Sequence, residues 1–405
     1  MRKFINIFIV CIFLFSSLCA GAPVLGAPIQ PEIFEVPKGV YVFRIDKDGV
    51  LGYQYDDSMP PQKTHLLKSK NLTSKFTPID TFEYASPIMS TFAHLPNAPV
   101  FVYGRIKGKE KFAIYVLRGN GEIVNEVPGT GSSSPDPPFI VVPDILSSSK
   151  CFVIRASQQG AGYLVSLQKI LLTKDGGKSF REISLPGKTP EDVEGILFNP
   201  ENMRELWVWR SSMGNWGGVK HSTDGGISWQ YINTGVEGNF YRCMYNPITK
   251  ELVILQKNPF LIIVNNKGKS YNFKGSFPSK VSKVHSYVRV LFFDKETKSV
   301  IIPIFWYEDS GKIIGEIYSY SNGNCEKIAD APEVEGEAVH GGFISSNTFF
   351  LSFVNFKGNG KVIVYTLNKT EIFSKFKTFS LPLLIVLILC ILMFWKLLRK
   401  NLKAK

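Results

Sequence analysis

The sequence predicts an all-β ectodomain, a β-propeller of about seven blades with six and eight as alternatives, followed by a single transmembrane helix. Three observations predict it. Short strand-like runs follow one another with no long amphipathic helix between them, a repeat recurs at roughly 48 residues, and one turn returns nearly unchanged.

The first element is a secretory signal. Arg2 and Lys3 precede a mostly apolar run from Ile5 to Leu18, and small residues follow at Cys19, Ala20 and Gly21. A positive flank, a short apolar core and a small-residue exit are the parts of such a signal. Residues 1–20 are therefore read as the signal and 30–370 as the propeller. At the other end Phe379–Trp395 carries no charge, and Leu397 and Leu398 extend it. A run of about 17 residues is the short end of what spans a hydrocarbon core of about 30 Å. Residues 379–398 are read as the membrane helix and 399–405 as a basic tail. Lys396, Arg399, Lys400, Lys403 and Lys405 follow the run without an acid, which places the tail in the cytoplasm. The expected topology is single-pass type I. The ectodomain is then lumenal or extracellular, in the secretory and endomembrane system or at the plasma membrane.

The net charge is +13. Arg2, Lys3 and the five cations of the tail account for seven of those charges. What remains is ordinary solubility charge and makes no case for a nucleic-acid partner. Cys11 and Cys19 lie in the signal and Cys390 in the span, leaving Cys151, Cys243 and Cys325. Three cysteines allow at most one internal disulfide, so a hydrophobic core must hold the ectodomain. Asn71-Leu72-Thr73 and Asn368-Lys369-Thr370 are N-glycosylation sequons.

The body reads as strands. Val40–Phe43, Val100–Tyr103, Phe112–Val116, Leu206–Trp209 and Val362–Tyr365 are β-branched or aromatic and are separated by Gly, Asn, Asp and Pro clusters. Phe198-Asn199-Pro200 leads into Leu206-Trp207-Val208, Tyr245-Asn246-Pro247 into Leu252-Val253-Ile254, and Phe293-Asp294-Lys295 into Val300-Ile301-Ile302. The Asn or Asp positions lie 47 and 48 residues apart. Weaker echoes fall at Phe43–Asp46, His94–Pro96, Asp144–Leu146 and Phe343–Ser345. A four-stranded blade with its turns has about this length.

The recurring turn is Thr173-Lys174-Asp175-Gly176-Gly177-Lys178-Ser179-Phe180, repeated 49 residues later as Ser222-Thr223-Asp224-Gly225-Gly226-Ile227-Ser228-Trp229. A decayed third copy places Asn266, Gly268 and Tyr271 at matching positions. The aspartate can accept hydrogen bonds from its own turn, and glycine supplies positive φ without steric cost. The closing aromatic can pack back across the hairpin. A calcium loop would need a series of oxygen ligands that this turn lacks.

The pattern Ser/Thr-x-Asp-x-Gly-x-x-Trp/Phe resembles the Asp-box of sialidases, sortilin-type sorting receptors and related propellers. The resemblance implies a structural turn away from the ligand site. From Lys169 to Ile232, "FREISLPG…LFNP…LWVW…STDGGISWQYI" is similar to two consecutive blades of a sortilin-type receptor. Those receptors have a ten-bladed ring, a cysteine-rich module and acidic or aromatic tail signals, none of which this chain supplies. Phe43-Arg44-Ile45-Asp46 resembles the start of the sialidase Phe/Tyr-Arg-Ile-Pro motif, with Asp46 in place of the proline. That resemblance implies Arg44, Arg210 and Arg289 as a substrate-carboxylate triad. It also requires a tyrosine nucleophile with a glutamate, for which no pair stands out in the sequence. Against it, Arg44 reads as an outward strand residue and Asp46–Gly49 as a hairpin turn.

Other chemistry is thin. His65, His94, His221, His285 and His340 are scattered without metal-ligand spacing. No glycine-rich phosphate loop leads a strand into a helix. No metal and no cofactor are expected. Trp216, in the glycine loop Met213–Gly218, is a candidate ligand contact. The expectation is a non-enzymatic, membrane-anchored propeller binding a protein or peptide, as a receptor or as an accessory subunit of a membrane complex. The alternative is a sialidase-like glycoside hydrolase or a lectin.

Overall fold

The computed structural model describes residues 30–56, 63–89, 95, 98–134, 139–144, 146–159, 162–191, 193–210, 218–232, 240–256, 261–264, 270–272, 286–287, 291–307, 312–321, 324–335, 337–355 and 358–367. The signal, the span, the tail, Trp216, Asn266, Gly268, Arg289 and Asn368 lie outside them. Among the described residues no helix is long and apolar enough to cross a membrane. One compact unit, Gln30–Thr366, holds all the strands among the described residues.

The unit opens with β1 (Pro31–Val36). A seven-stranded sheet follows in chain order: β2 (Tyr41–Asp46), β3 (Gly49–Tyr55), β4 (Lys63–Ser69), β5 (Thr77–Met89), β6 (Val100–Ile106), β7 (Ala113–Leu117) and β8 (Ile123–Glu126). The next sheet is β9 (Phe139–Pro143), β10 (Cys151–Gln159), β11 (Gly162–Thr173) and β12 (Arg181–Ile183). After it come β13 (Gly195–Phe198), β14 (Leu206–Arg210), β15 (Gly218–Ser222) and β16 (Gln230–Ile232). Then come β17 (Phe240–Asn246), β18 (Glu251–Gln256), β19 (Leu261–Val264) and β20 (Ser270–Asn272). The short strands β21 (Ser286–Tyr287) and β22 (Phe292–Asp294) both pair β23 (Ser299–Tyr307), which continues to β24 (Ile313–Ser321) and β25 (Asn324–Val334). The last sheet is β26 (Glu337–Ser345), β27 (Thr348–Val354) and β28 (Gly360–Thr366). It takes β1 as its fourth strand, in antiparallel register from Pro31 opposite Tyr365 to Val36 opposite Gly360.

The seven-stranded sheet has an internal seam. β5 pairs β4 over Thr77–Glu83 and β6 over Phe82–Met89, with register shifts after Glu83 and after Ser86. One long strand thus serves two neighbours in turn.

The core lies between sheets. Phe152, Ile154 and Leu167 of one sheet pack with Ile196, Phe198 and Leu206 of the next. Trp207, Trp209 and Val219 meet Cys243, Tyr245 and Ile254 in the same way, and Met244 and Val253 meet Phe293, Val300 and Ile302. Val42, Val50 and Phe76 meet Phe350 and Val362 across the ends of the unit. First strands of consecutive sheets adjoin: β9 with β13, β13 with β17, and β26 with β2. This is a propeller-like arrangement. Both faces of each sheet are covered, so strands such as Leu206–Arg210 are buried throughout, and their sequences lose the period-2 alternation of a half-exposed strand. Cys151, Cys243 and Cys325 form no disulfide with one another.

Candidate functional site

The two repeated turns join third to fourth strands, β11 to β12 and β15 to β16. Asp175 Oδ1 accepts from Thr173 Oγ1 (2.9 Å) and from Ser179 N (3.0 Å), and Oδ2 accepts from Ser179 Oγ (2.5 Å). Asp224 accepts from Ser222 Oγ (2.8 Å), Ile227 N (3.0 Å), Ser228 N (3.0 Å) and Ser228 Oγ (2.5 Å). The hydroxyl and N–H of Ser179, with smaller help from Thr173, pull the Asp175 carboxyl down to about 2, and the hydroxyl and N–H of Ser228 hold Asp224 well below the usual carboxylate range. Both carboxylates are therefore consumed by their own turns.

Each turn also docks on the preceding sheet. Gly177 and Gly226 have φ of 85° and 86°, and a Cβ there would stand 2.5 Å from Val116 Cγ1 and 2.6 Å from Leu167 Cδ1. Only glycine satisfies both the sign of φ and the approach. Trp229 Nε1 donates to the Lys188 carbonyl at 2.9 Å, and Lys188 N donates back to the Gly226 carbonyl at 3.1 Å. Asn125 Nδ2 donates to the carbonyls of Gly177 and Lys178. Phe180 and Trp229 are half-buried against the core clusters of the seams they close. These turns are staples between sheets. Of the decayed copy only Tyr271 is described, opposite Ile263 in β20.

A further copy escapes the sequence reading. Ser69, Asn71, Thr73 and Phe76 repeat the spacing of Ser222, Asp224, Gly226 and Trp229, again between a third and a fourth strand, β4 and β5. Asn71 Oδ1 accepts from Thr73 N (3.1 Å), Thr73 Oγ1 (2.9 Å) and Ser74 Oγ (2.7 Å). Phe76 is buried in the cluster shared with β27 and β28. The signal was the spacing itself, hidden because Asn replaces Asp and Thr replaces Gly.

A second family of turns joins first to second strands. In each, a side chain caps the N–H two residues on. Asp46 accepts from Asp48 N, Asp144 from Leu146 N, Asn199 from Glu201 N, Asn246 from Ile248 N and Asp294 from Glu296 N, all at 2.8–3.0 Å. Ser345 accepts from Asn347 N at 3.4 Å. The echoes at Phe43–Asp46, Asp144–Leu146 and Phe343–Ser345 carry these caps, and that at His94–Pro96 lies, but for Leu95, outside the described residues. The turns are also linked in series. Lys150 Nζ pairs with Asp144 at 2.8 Å and donates to the Pro200 carbonyl at 3.1 Å. Asn199 Nδ2 reaches Tyr245 OH at 3.4 Å, and Asn246 Nδ2 reaches the Lys298 carbonyl at 3.2 Å.

Where these turns converge there is a cavity of about 320 Å³. Leu95, Ser148, the Phe293–Glu296 turn, Phe343, Ser345 and Ser346 line it, from elements spread along the whole unit. Phe293 and Phe343 are buried and form an apolar floor, and the serines, Lys295 and Glu296 form a polar rim. Desolvation lowers the Lys295 ammonium from its usual range, and the nearby Asp144 charge offsets part of that. This geometry suits an apolar group below and a polar or anionic group at the rim.

Arg44 differs from both readings of the sequence. It is not an outward strand residue. Its Nε lies 2.5 Å from Asp46 Oδ2, its Nη1 donates to the Ala98 carbonyl, and the two side chains are 6% and 2% exposed. The guanidinium joins β2 to the segment entering β6, which leaves no open carboxylate clamp. Arg210 ends β14, also buried. Of the triad, only these two are described. Tyr318 OH donates to Glu316 Oε2 at 2.5 Å. Burial and the Glu316 carboxylate hold that phenol far above its ordinary range, the opposite of an activated nucleophile. Among the described residues no group of His, Cys, Asp or Glu could hold a metal ion.

No family model matches the chain, and no curated protein matches it. Among solved structures, the GH74 enzyme of Niastella koreensis is similar at 12% identity with a TM-score of 0.46, over 81% of this chain and 53% of that one. The chain thus spans about half the length of that enzyme, and a likeness at this level bears on neither activity nor substrate.

Proposed function

We propose that this chain is a membrane-anchored, non-enzymatic propeller that binds a protein or peptide segment at the mouth formed by its inner turns. The observation that carries the reading is the cavity over Phe293 and Phe343, built from several sheets at once, with Lys295 and Glu296 at its rim. Counting β2–β5 and β5–β8 as two units that share a strand gives a ring of seven blades, closed by β1 on β28. The apolar runs at 1–20 and 379–398 support a type I anchor. The stapling turns, an Asp-box in type and spacing, support kinship with sortilin-type receptors. The role is that of a receptor or of an accessory subunit of a membrane complex.

The test uses the full chain in detergent. A photo-crosslinking amino acid at Lys295 is expected to capture peptide ligand, and the same group at Thr223, on a stapling turn, is expected to capture none. A fluorogenic sialoside is expected to stay intact. Hydrolysis that disappears in a folded Arg44→Ala variant would overturn the reading in favour of a glycosidase.

A further inference from the structure

We propose that Asn71 carries an N-linked oligosaccharide and that its turn is built to bear one, an inference that rests on the lumenal placement proposed above. In the other two stapling turns this position is Asp175 or Asp224, and each uses both carboxylate oxygens. At Asn71 all three side-chain bonds converge on Oδ1. The backbone N–H of Thr73 can only donate, so the atom facing it is the carbonyl oxygen, and the orientation of the amide is fixed. Nδ2 donates to no described residue.

Glycosylation replaces one Nδ2 hydrogen and leaves Oδ1 untouched. The turn's hydrogen bonds are therefore the same with or without the sugar, which an aspartate could not offer. Thr73 makes the second change. It stands where Gly177 and Gly226 press against a neighbouring sheet, and it is exposed. Close docking is replaced by a shallow groove of about 390 Å³ that Asn71 and Thr73 line with Phe34 and Ile45. Leu72 and Phe76, both buried, still anchor the turn. The substitution that abolishes the glycine thus supplies both the sequon hydroxyl and the room. In the transfer, Nδ2 forms a bond to C1 of an oligosaccharide carried on a polyprenyl diphosphate. The C1–O bond breaks, the lipid diphosphate leaves, and one amide proton passes to the transferase.

The experiment expresses the full chain in a secretory host and isolates sealed microsomes. Protease protection of the ectodomain reads lumenal placement, and mass spectrometry after peptide N-glycosidase reads residue 71. We expect a protected chain with Asn71 converted to aspartate by the enzyme. The glycan should be lost in Asn71→Asp and Thr73→Ala and kept in Thr73→Ser. Asn71→Asp retains the turn's acceptor, so it should melt with wild type made with oligosaccharide transfer blocked, which keeps the bare asparagine, separating loss of sugar from loss of fold. A protected chain bare at Asn71 overturns this proposal alone. An unprotected chain overturns it together with the lumenal reading.

Discussion

Replacing Arg44 by alanine leaves the Asp46 carboxylate, 2% exposed, without its partner, and removes a donor from the Ala98 carbonyl. Deleting one member of a buried pair costs about 3–5 kcal/mol, because the other charge stays desolvated. Total stabilities run about 5–15 kcal/mol, so this is a large share. At about 1.4 kcal/mol per tenfold, the unfolded fraction should rise by about two to three and a half orders of magnitude. Arg44→Lys should recover only part of the loss, since one ammonium cannot serve both Asp46 and Ala98 as the guanidinium does. Adding Asp46→Asn to Arg44→Ala should restore stability by neutralising the stranded charge, a coupling of about 0.5–3 kcal/mol. Urea unfolding of the purified ectodomain, followed by tryptophan fluorescence, measures these three variants and Asp46→Asn alone against the wild type. A loss below about 1 kcal/mol in Arg44→Ala would refute the view of this residue as a buried clasp.

Two further expectations concern the stapling turns. Asp175 is held at about 2, below an unfolded value of about 3.9, so its contribution is complete above the latter and is lost as pH falls through the former. Melting temperature should decline between about pH 4 and pH 2, and Asp175→Asn with Asp224→Asn should flatten that slope. An unchanged slope in the double variant would place the acid sensitivity elsewhere. Gly226→Ala should cost about 2–4 kcal/mol, combining positive φ with a Cβ 2.6 Å from Leu167, whereas Ser222→Ala, losing hydrogen bonds only, should cost about 1 kcal/mol. Denaturation midpoints of the two variants decide the order.

The repeat was legible because one physical need recurs in six of the described turns. Each inner turn must satisfy its own N–H where neighbouring turns crowd, and a short polar side chain at a fixed place does so. Asp46 and Asp144 stand 98 residues apart, two periods, with the weaker echo at His94–Pro96 between them. The strands were legible as apolar runs for the opposite reason, being covered on both faces. Arg44 was misjudged because its partners, Asp46 and Ala98, lie 2 and 54 residues away, and only the second betrays burial. The copy at Ser69–Phe76 was missed because a pattern keyed to Asp and Gly is blind to Asn and Thr, which keep the acceptor and the spacing. The cavity was not legible at all, since Leu95, Ser148, Phe293 and Phe343 share no local pattern and meet only through the closure of the whole unit.

The pairing of β1 with β28 also decides how the unit answers to force. Pro31 lies opposite Tyr365, so the outer ends of the two strands are neighbours in one rung. A load applied between the two ends of Gln30–Thr366 falls on that rung first and passes to the next only after it opens. The strands therefore peel like a zipper, one rung at a time, instead of resisting in parallel as sheared strands do. The weakest mechanical direction of the unit runs through the seam where its first and last strands meet.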